Sequence, residues 1–324
     1  MTSRCGRPGN DGRHAHVGTS PGQGSSLRHY TRPPEHPAPP PPAAEIIPFA
    51  ECEPAIARSG LTPGAQALLR GLLRVGTTRE FPGGGVGIEY GSLLKTAARP
   101  DYLAQHIAEA ADHLIEARTD LLLVPGMSGY PIGAMYALAA RVPALLLKKS
   151  QLDRANPNAY PAGAFVIPSY TGDGDVVMHA DPAAAEDIFA TIIARKFQEQ
   201  ESRDEVTIDL RVAGADDIID KATMSHAISE SALVIGEAAM SHAVARHRAF
   251  TGDTRPISTR VAVTAWVTPL IKGYNRPYEH LWSAFRLRPF AGLNLSAVYL
   301  DPPAIAIEGV GAFAFARPGD AARG

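Results

Sequence analysis

Apolar residues recur at two periods along this chain, and the switch between them marks its elements. Ala67, Leu68, Leu69, Leu72 and Leu73 repeat at helical spacing behind Thr62-Pro63, which supplies an N-cap residue and an N1 proline. Leu103, Ile107, Ala110, Ala111 and Leu114 do the same behind Pro100-Asp101. Leu121 to Val124 is instead a short unbroken apolar run, the pattern of a parallel strand covered on both faces. The turn Pro125 to Gly129 and a helix from Ile132 to Ala140 follow. Another apolar run, Ala144 to Leu147, ends at Lys148-Lys149. Ala164 to Pro168 predicts a brief strand, Tyr170 to Asp175 a hairpin turn, and Val176 to Met178 its return. Asp181-Pro182 opens a helix with Ile188, Phe189, Ile192 and Ile193 inward. Strict alternation returns at Val206, Ile208, Leu210 and Val212, and Asp216-Asp217-Ile218-Ile219-Asp220 follows at once. Helical segments then run through His247. Strands are expected at Thr259 to Val267, Leu295 to Leu300 and Ala304 to Phe315, with an aromatic stretch at Tyr274 to Phe290 between them.

The β-turn-α-β order predicts an α/β protein: an open, mostly parallel sheet flanked by helices, with ligands at the carboxyl ends of the strands. Residues 1–45 are rich in Pro, Gly and Arg, with the run Pro39 to Pro42, and hold few large apolar residues. Such a stretch buries too little surface to offset its ordering entropy, so it is set aside from the fold as a disordered tail with no targeting pattern. Residues 46–324 are expected to form one domain, with a small hood around 160–182 and an extension from about 270. Gly83 to Gly87 departs from a dinucleotide-binding pattern because Tyr90 stands where its last glycine would be, and reads as a loop or bulge.

The chain has 324 residues, 45% hydrophobic and 20% charged, with a net charge of −2. That balance gives no footprint for duplex nucleic acid or an anionic membrane. Leu121 to Leu147 resembles a membrane span in hydropathy alone, since its prolines and glycines divide it into strand, turn and helix. Two cysteines, Cys5 and Cys52, support neither a disulfide framework nor a cysteine metal site, and a reducing cytoplasm is the expected compartment.

Several groups could carry chemistry, each with a plainer alternative. Gly126-Met127-Ser128-Gly129 after a buried strand can bring backbone N–H groups against an anion, or serve as a simple strand-to-helix turn. Lys148 and Lys149 offer cations at a strand end, or a solvated edge. Asp216 and Asp217 can hold hydroxyls or a cation, or act as an acidic cap of the next helix. Asp173, Asp175, His179 and Asp181 have the composition of a hard-metal site, but could equally line one solvated face of a hairpin. Tyr274, Tyr278, Trp282 and Phe285 suit a stacking surface, a subunit interface or a core. The echo Ala222-Thr-Met-Ser-His226 and Ala238-Ala-Met-Ser-His242 reads as chance similarity between alanine-rich helices.

Taken together, three segments resemble the type I phosphoribosyltransferase family, especially its orotate and adenine branches: Asp120 to Gly133 with Lys148-Lys149, Ser169 to His179, and Asp216 to Asp220. The resemblance covers roughly residues 87–267. It implies a Mg2+-dependent transfer of a 5-phosphoribosyl group from phosphoribosyl pyrophosphate to a nucleobase-like acceptor, in a homodimer. By the same resemblance Asp216, Asp217 and Lys149 are the catalytic residues. The resemblance also makes Gly126, Met127, Ser128, Gly129, Lys148, Tyr170, Asp220, Lys221, Thr223 and Ser225 ligand-binding residues, while Asp173 and Asp175 are metal candidates by composition. The sequence departs from the family at Lys221-Ala222-Thr223-Met224-Ser225, where small residues and glycines usually wrap the 5′-phosphate. A non-catalytic regulator that binds a nucleotide or phosphoribosyl pyrophosphate on the same fold is the alternative.

Overall fold

The computed structural model describes residues 27–31, 45–80, 86–94, 99–168 and 174–317. In chain order the strands and helices are β1 (Arg28–His29), β2 (Ile46–Ile47), α1 (Cys52–Ala57), α2 (Pro63–Val75), β3 (Thr77–Glu80), β4 (Val86–Glu89), α3 (Gly91–Leu94) and α4 (Pro100–Glu116). Then come β5 (Leu121–Pro125), α5 (Gly129–Ala140), β6 (Ala144–Gln151), β7 (Phe165–Pro168), β8 (Asp175–Ala180) and α6 (Pro182–Gln198). The remainder is β9 (Val206–Ala215), β10 (Ile218–Ile219), α7 (Thr223–Thr251), β11 (Ile257–Lys272), α8 (Pro277–Phe285), β12 (Phe290–Leu300), β13 (Pro303–Ile307) and β14 (Gly311–Ala314).

Twelve strands form one open sheet in the order β1-β7-β8-β6-β5-β9-β11-β12-β13-β14-β2, with β10 alongside β11. Its centre, β6-β5-β9-β11-β12, is parallel, and the antiparallel pairs β6–β8, β7–β8, β12–β13 and β13–β14 lie to either side. The fold is thus an α/β sheet, mostly parallel, flanked by helices. Side-chain alternation sorts the central strands into two layers. On β5, Leu121 and Leu123 pack with Phe189, Ile192 and Ile193 of α6, while Leu122 and Val124 pack with Leu114 of α4 and Ile132 of α5. On β9, Ile208, Leu210 and Val212 join the first layer, and Ala213 and Ala215 the second. From β5 the chain crosses by α5 to β6 on one side, and later returns with β9 on the other. That reversal opens a crevice beyond the carboxyl ends of β5 and β9, where ligands settle in open α/β sheets.

Local signals place the ends of several elements. The Thr62 side chain accepts from the Ala65 N–H at the start of α2, and Asp181 accepts from Ala183 and Ala184 at the start of α6. Other expectations change. Strand β6 does not stop at Lys148-Lys149: both lysines lie inside it, paired in register with His179 and Met178 of β8, because the antiparallel β8 extends the ladder past the apolar run. The hairpin read as a hood therefore continues the main sheet, and its tip, residues 169–173, lies outside the described residues. Within the stretch set aside by composition, Arg28 and His29 pair in parallel with Phe165 and Val166. The Tyr30 ring meets the Phe165 edge at 5.9 Å, and its hydroxyl donates to Glu230, so one short segment gains tertiary partners that its composition does not reveal. The helical segments after Asp220 form a single helix, α7, of 29 residues. Gly87 lies in β4, paired with Arg79 of β3, while Gly83 to Gly85 are outside the described residues. No helix among the described residues is long and apolar enough to cross a membrane.

Candidate active site

A cleft of about 670 Å³ lies at the crevice and is bounded by several separate elements. The β5–α5 turn contributes Gly126, Met127 and Ser128, β6 contributes Lys149, and the segment after β9 contributes Asp216 to Ser225. Arg79, Glu89 and Tyr90, from the β3–β4 hairpin and the residue after it, close the remaining side, with Lys272 at the end of β11.

The β5–α5 turn is shaped by close approach. A Cβ on Gly126 would stand 2.8 Å from the Tyr130 hydroxyl and 2.9 Å from the Leu147 carbonyl oxygen, so no side chain fits there. The Gly126–Met127 peptide bond is cis. Gly129 opens α5 directly against the acidic segment: a Cβ there would be 3.0 Å from Asp216 Oδ1. It thereby lets the two loops meet.

Asp216 and Asp217 follow the buried end of β9 and are themselves buried, 8% and 4% exposed. The Asp217 N–H donates to Asp216 Oδ1 at 2.9 Å, and the Tyr90 hydroxyl donates to Asp217 Oδ2 at 3.1 Å. Burial first, and the neighbouring Asp217 carboxylate second, push the Asp216 carboxyl well above the ordinary aspartate range. The third acid of the run, also in the lining, has partners of its own. Asp220 accepts from Lys272 Nζ at 2.9 Å and from the Asn275 side-chain amide. Its expected role as a ligand contact is therefore complicated by an ion pair in which both side chains are largely buried.

Helix α7 begins beside these acids without a cap of its own. Ala222 occupies the N-cap in the left-handed conformation, φ 59°, and has no side-chain acceptor to offer the first N–H groups. The Thr223 hydroxyl is buried and has no hydrogen-bond partner. The turn is nevertheless held in place from below. Trp266 Nε1 donates to Ser229 Oγ at 2.9 Å, and Ser229 Oγ donates to the Ser225 carbonyl at 2.7 Å. Trp266 in turn needs Gly214, where a Cβ would lie 2.2 Å from the indole ring. The helix start thus presents first-turn N–H groups without a side-chain cap and an unused hydroxyl, in a segment that lacks glycines.

The remaining expected residues divide. Lys149, Lys221, Thr223 and Ser225 line the cleft. Lys148 does not: it projects from the opposite face of β6 and pairs with Asp181 at 2.5 Å. Tyr170 and Asp173 lie outside the described residues. Asp175 pairs with Arg154 at 3.5 Å, His179 Nε2 meets Ser150 Oγ at 3.0 Å, and Asp181 caps α6. These three members of the metal-like group thus serve separate partners. Among the described residues no three His, Cys, Asp or Glu side chains converge as a metal site. Sequence reading missed Tyr90 and Lys272. The sequence signal for Lys272 is weak, since Thr268 and Pro269 interrupt the apolar residues before it.

No family model and no curated protein matches the chain. Solved structures similar to it include an adenine phosphoribosyltransferase from Rhodothermus marinus, 15% identical, covering 71% of this chain and 99% of that one with a TM-score of 0.44. The enzyme from Giardia lamblia, complexed with 9-deazaadenine, is 12% identical, with 70% and 97% covered and a TM-score of 0.41. That from Saccharomyces cerevisiae, complexed with an imino-altritol bisphosphate and adenine, is 14% identical, with 71% and 98% covered and a TM-score of 0.41. With these proteins the chain shares similarity of fold alone.

Proposed function

We infer that the cleft binds phosphoribosyl pyrophosphate or a closely related phosphorylated sugar, and that the chain transfers the 5-phosphoribosyl group to a nucleobase-like acceptor. One observation carries this reading: a buried pair of adjacent acids stands between an uncapped helix start and a glycine turn, all facing one cleft. The start of α7, with the Thr223 hydroxyl, suits the 5′-phosphate. Asp216 and Asp217 suit the two vicinal ribose hydroxyls, because a carboxyl held toward protonation can donate a hydrogen bond while its neighbour accepts one. The turn at Gly126 to Ser128 and the Lys149 ammonium then face the pyrophosphate.

In the reaction the bond from C1 to the pyrophosphate oxygen breaks while a bond from C1 to an acceptor nitrogen forms; pyrophosphate departs and the acceptor proton passes to solvent. Positive charge develops on the ribose ring, and in this reading the Asp217 carboxylate is the group that stabilises it. Asp217 also fits Mg2+ held largely by ligand phosphates, since that ion commonly takes one or two carboxylates and keeps waters and phosphates as its other ligands. When bound, it would neutralise charge on the departing pyrophosphate. Asp220 is less suited to that role because Lys272 and Asn275 already engage it.

The test is incubation with phosphoribosyl pyrophosphate, Mg2+ and a panel of nucleobases, following pyrophosphate release. Turnover that Asp217→Asn abolishes is expected. Saturable thermal stabilisation without turnover would leave a binding protein and remove the enzyme reading. Absence of both signals would remove the ribose-phosphate reading as well.

A further inference from the structure

A second groove, of about 570 Å³, lies at the other end of β9 from Asp216 and Asp217, lined by Thr207, Asp209 and Arg211 of that strand, by the last turn of α6 and the loop after it, and by the connection from α4 to β5. It has a marked charge. Arg118, Arg195, Lys196, Arg203 and Arg211 face three acids, Asp120, Glu199 and Asp209, an excess of two positive charges in a chain whose net charge is −2.

The arrangement is organised from its floor. Asp120, 4% exposed, accepts from Arg195 Nη2 at 2.8 Å and from the Arg211 N–H at 3.0 Å, and its Oδ1 pairs with Lys196 Nζ at 2.8 Å. One buried carboxylate thereby orients two cations. Arg118, Arg203 and Arg211 make no ion pair among the described residues. The hydroxyl of Thr119, also in the lining, is buried and has no hydrogen-bond partner. Guanidinium groups present several donors in a planar fork that matches phosphate oxygens. No aromatic or aliphatic side chain lines the groove, so it offers no platform for a base.

From the excess charge, the unpaired guanidinium groups and the wholly polar lining we propose that this groove is a second binding site, for a small polyanion carrying two or more phosphates and recognised through those phosphates alone. An inorganic polyphosphate and a sugar bisphosphate share that chemistry.

Isothermal titration of the full chain with sodium tripolyphosphate, without Mg2+, tests the site, and a parallel titration with fructose 1,6-bisphosphate separates the two ligand sources. Saturable binding is expected that weakens tenfold or more in Arg203→Gln/Arg211→Gln and falls with added salt. Arg203→Gln alone, a substitution at an exposed side chain, is expected to weaken it at least threefold, so the result does not depend on the double variant folding. In a Thr223→Val background, which alters the first cleft, Arg203→Gln/Arg211→Gln should still weaken binding tenfold or more. No saturable binding of either ligand, equal affinity in the groove variants, or loss only in Thr223→Val would overturn the proposal. Pyrophosphate release from phosphoribosyl pyrophosphate reports separately on the first cleft.

Discussion

Asp217 and Thr223 show how differently two site residues depend on their surroundings. The acids stood out in the sequence because they directly follow an alternating strand, although an acidic helix cap uses the same residue types. Thr223 was named by resemblance, but that its hydroxyl is buried and unpaired follows only from the turn of α7. A phosphate oxygen at the start of α7 would give that hydroxyl a charged partner, and a hydrogen bond to a charged group contributes roughly 1.5–3 kcal/mol. Thr223→Val is therefore expected to weaken phosphoribosyl pyrophosphate at least tenfold in a thermal-shift titration. Its unfolding free energy in urea should move little, within about 0.5 kcal/mol, because no hydrogen bond in the free protein is lost. Equal ligand affinity in Thr223→Val would mean that the phosphate lies elsewhere.

At the scale of elements, the cleft depends on how β9, β11 and α7 meet. Local sequence signals marked the helix starts at Thr62 and Asp181 correctly, because capping uses neighbours three residues away. Lys148 and Lys149 looked equivalent until the pairing of β6 with β8 set their opposite directions. Asp220 lines the cleft as expected, but the end of β11 also brings Lys272 beside it as an ion-pair partner. Breaking a largely buried ion pair leaves an uncompensated charge and costs about 3–5 kcal/mol. Lys272→Met should lower the unfolding free energy by that order in urea denaturation, and Asp220→Asn in the same chain should recover much of it. A neutral Lys272→Met would show that the pair has no structural role.

The whole molecule adds a pH dependence through His106, which lies between α4 and the sheet. Its Nε2 is 2.7 Å from the Tyr136 hydroxyl, its ring stacks on Phe290 at 5.8 Å, and burial lowers its pKa to about 4. The unfolded chain takes up this proton near pH 6.5, while the folded chain resists until about pH 4. The neutral folded form is therefore fully favoured above pH 6.5, and its advantage is lost as pH falls toward 4. The loss is about 3 kcal/mol by linkage. Asp216 works in the opposite sense: its raised carboxyl favours folding at low pH and loses that contribution as pH rises above the ordinary aspartate range. The histidine effect is thus measured as the difference in unfolding free energy between wild type and His106→Gln from pH 7 to 4, which should show a flatter profile in the variant. Parallel profiles would rule it out.

The sequence by itself determined what depends on neighbours along the chain: the strand and helix periods, the capped helix starts, the α/β class, and the presence of acids behind a strand and glycines in a turn. Tertiary structure decided which of those groups share a cleft. It turned Lys149 inward and Lys148 away, gave Asp220 to Lys272, and held the uncapped start of α7 against the acids through Trp266 and Ser229. The physical reason is separation: Asp120 with Arg195, Tyr90 with Asp217 and Gly214 with Trp266 are each brought together by sheet order and layer packing, for which no local pattern carries a record.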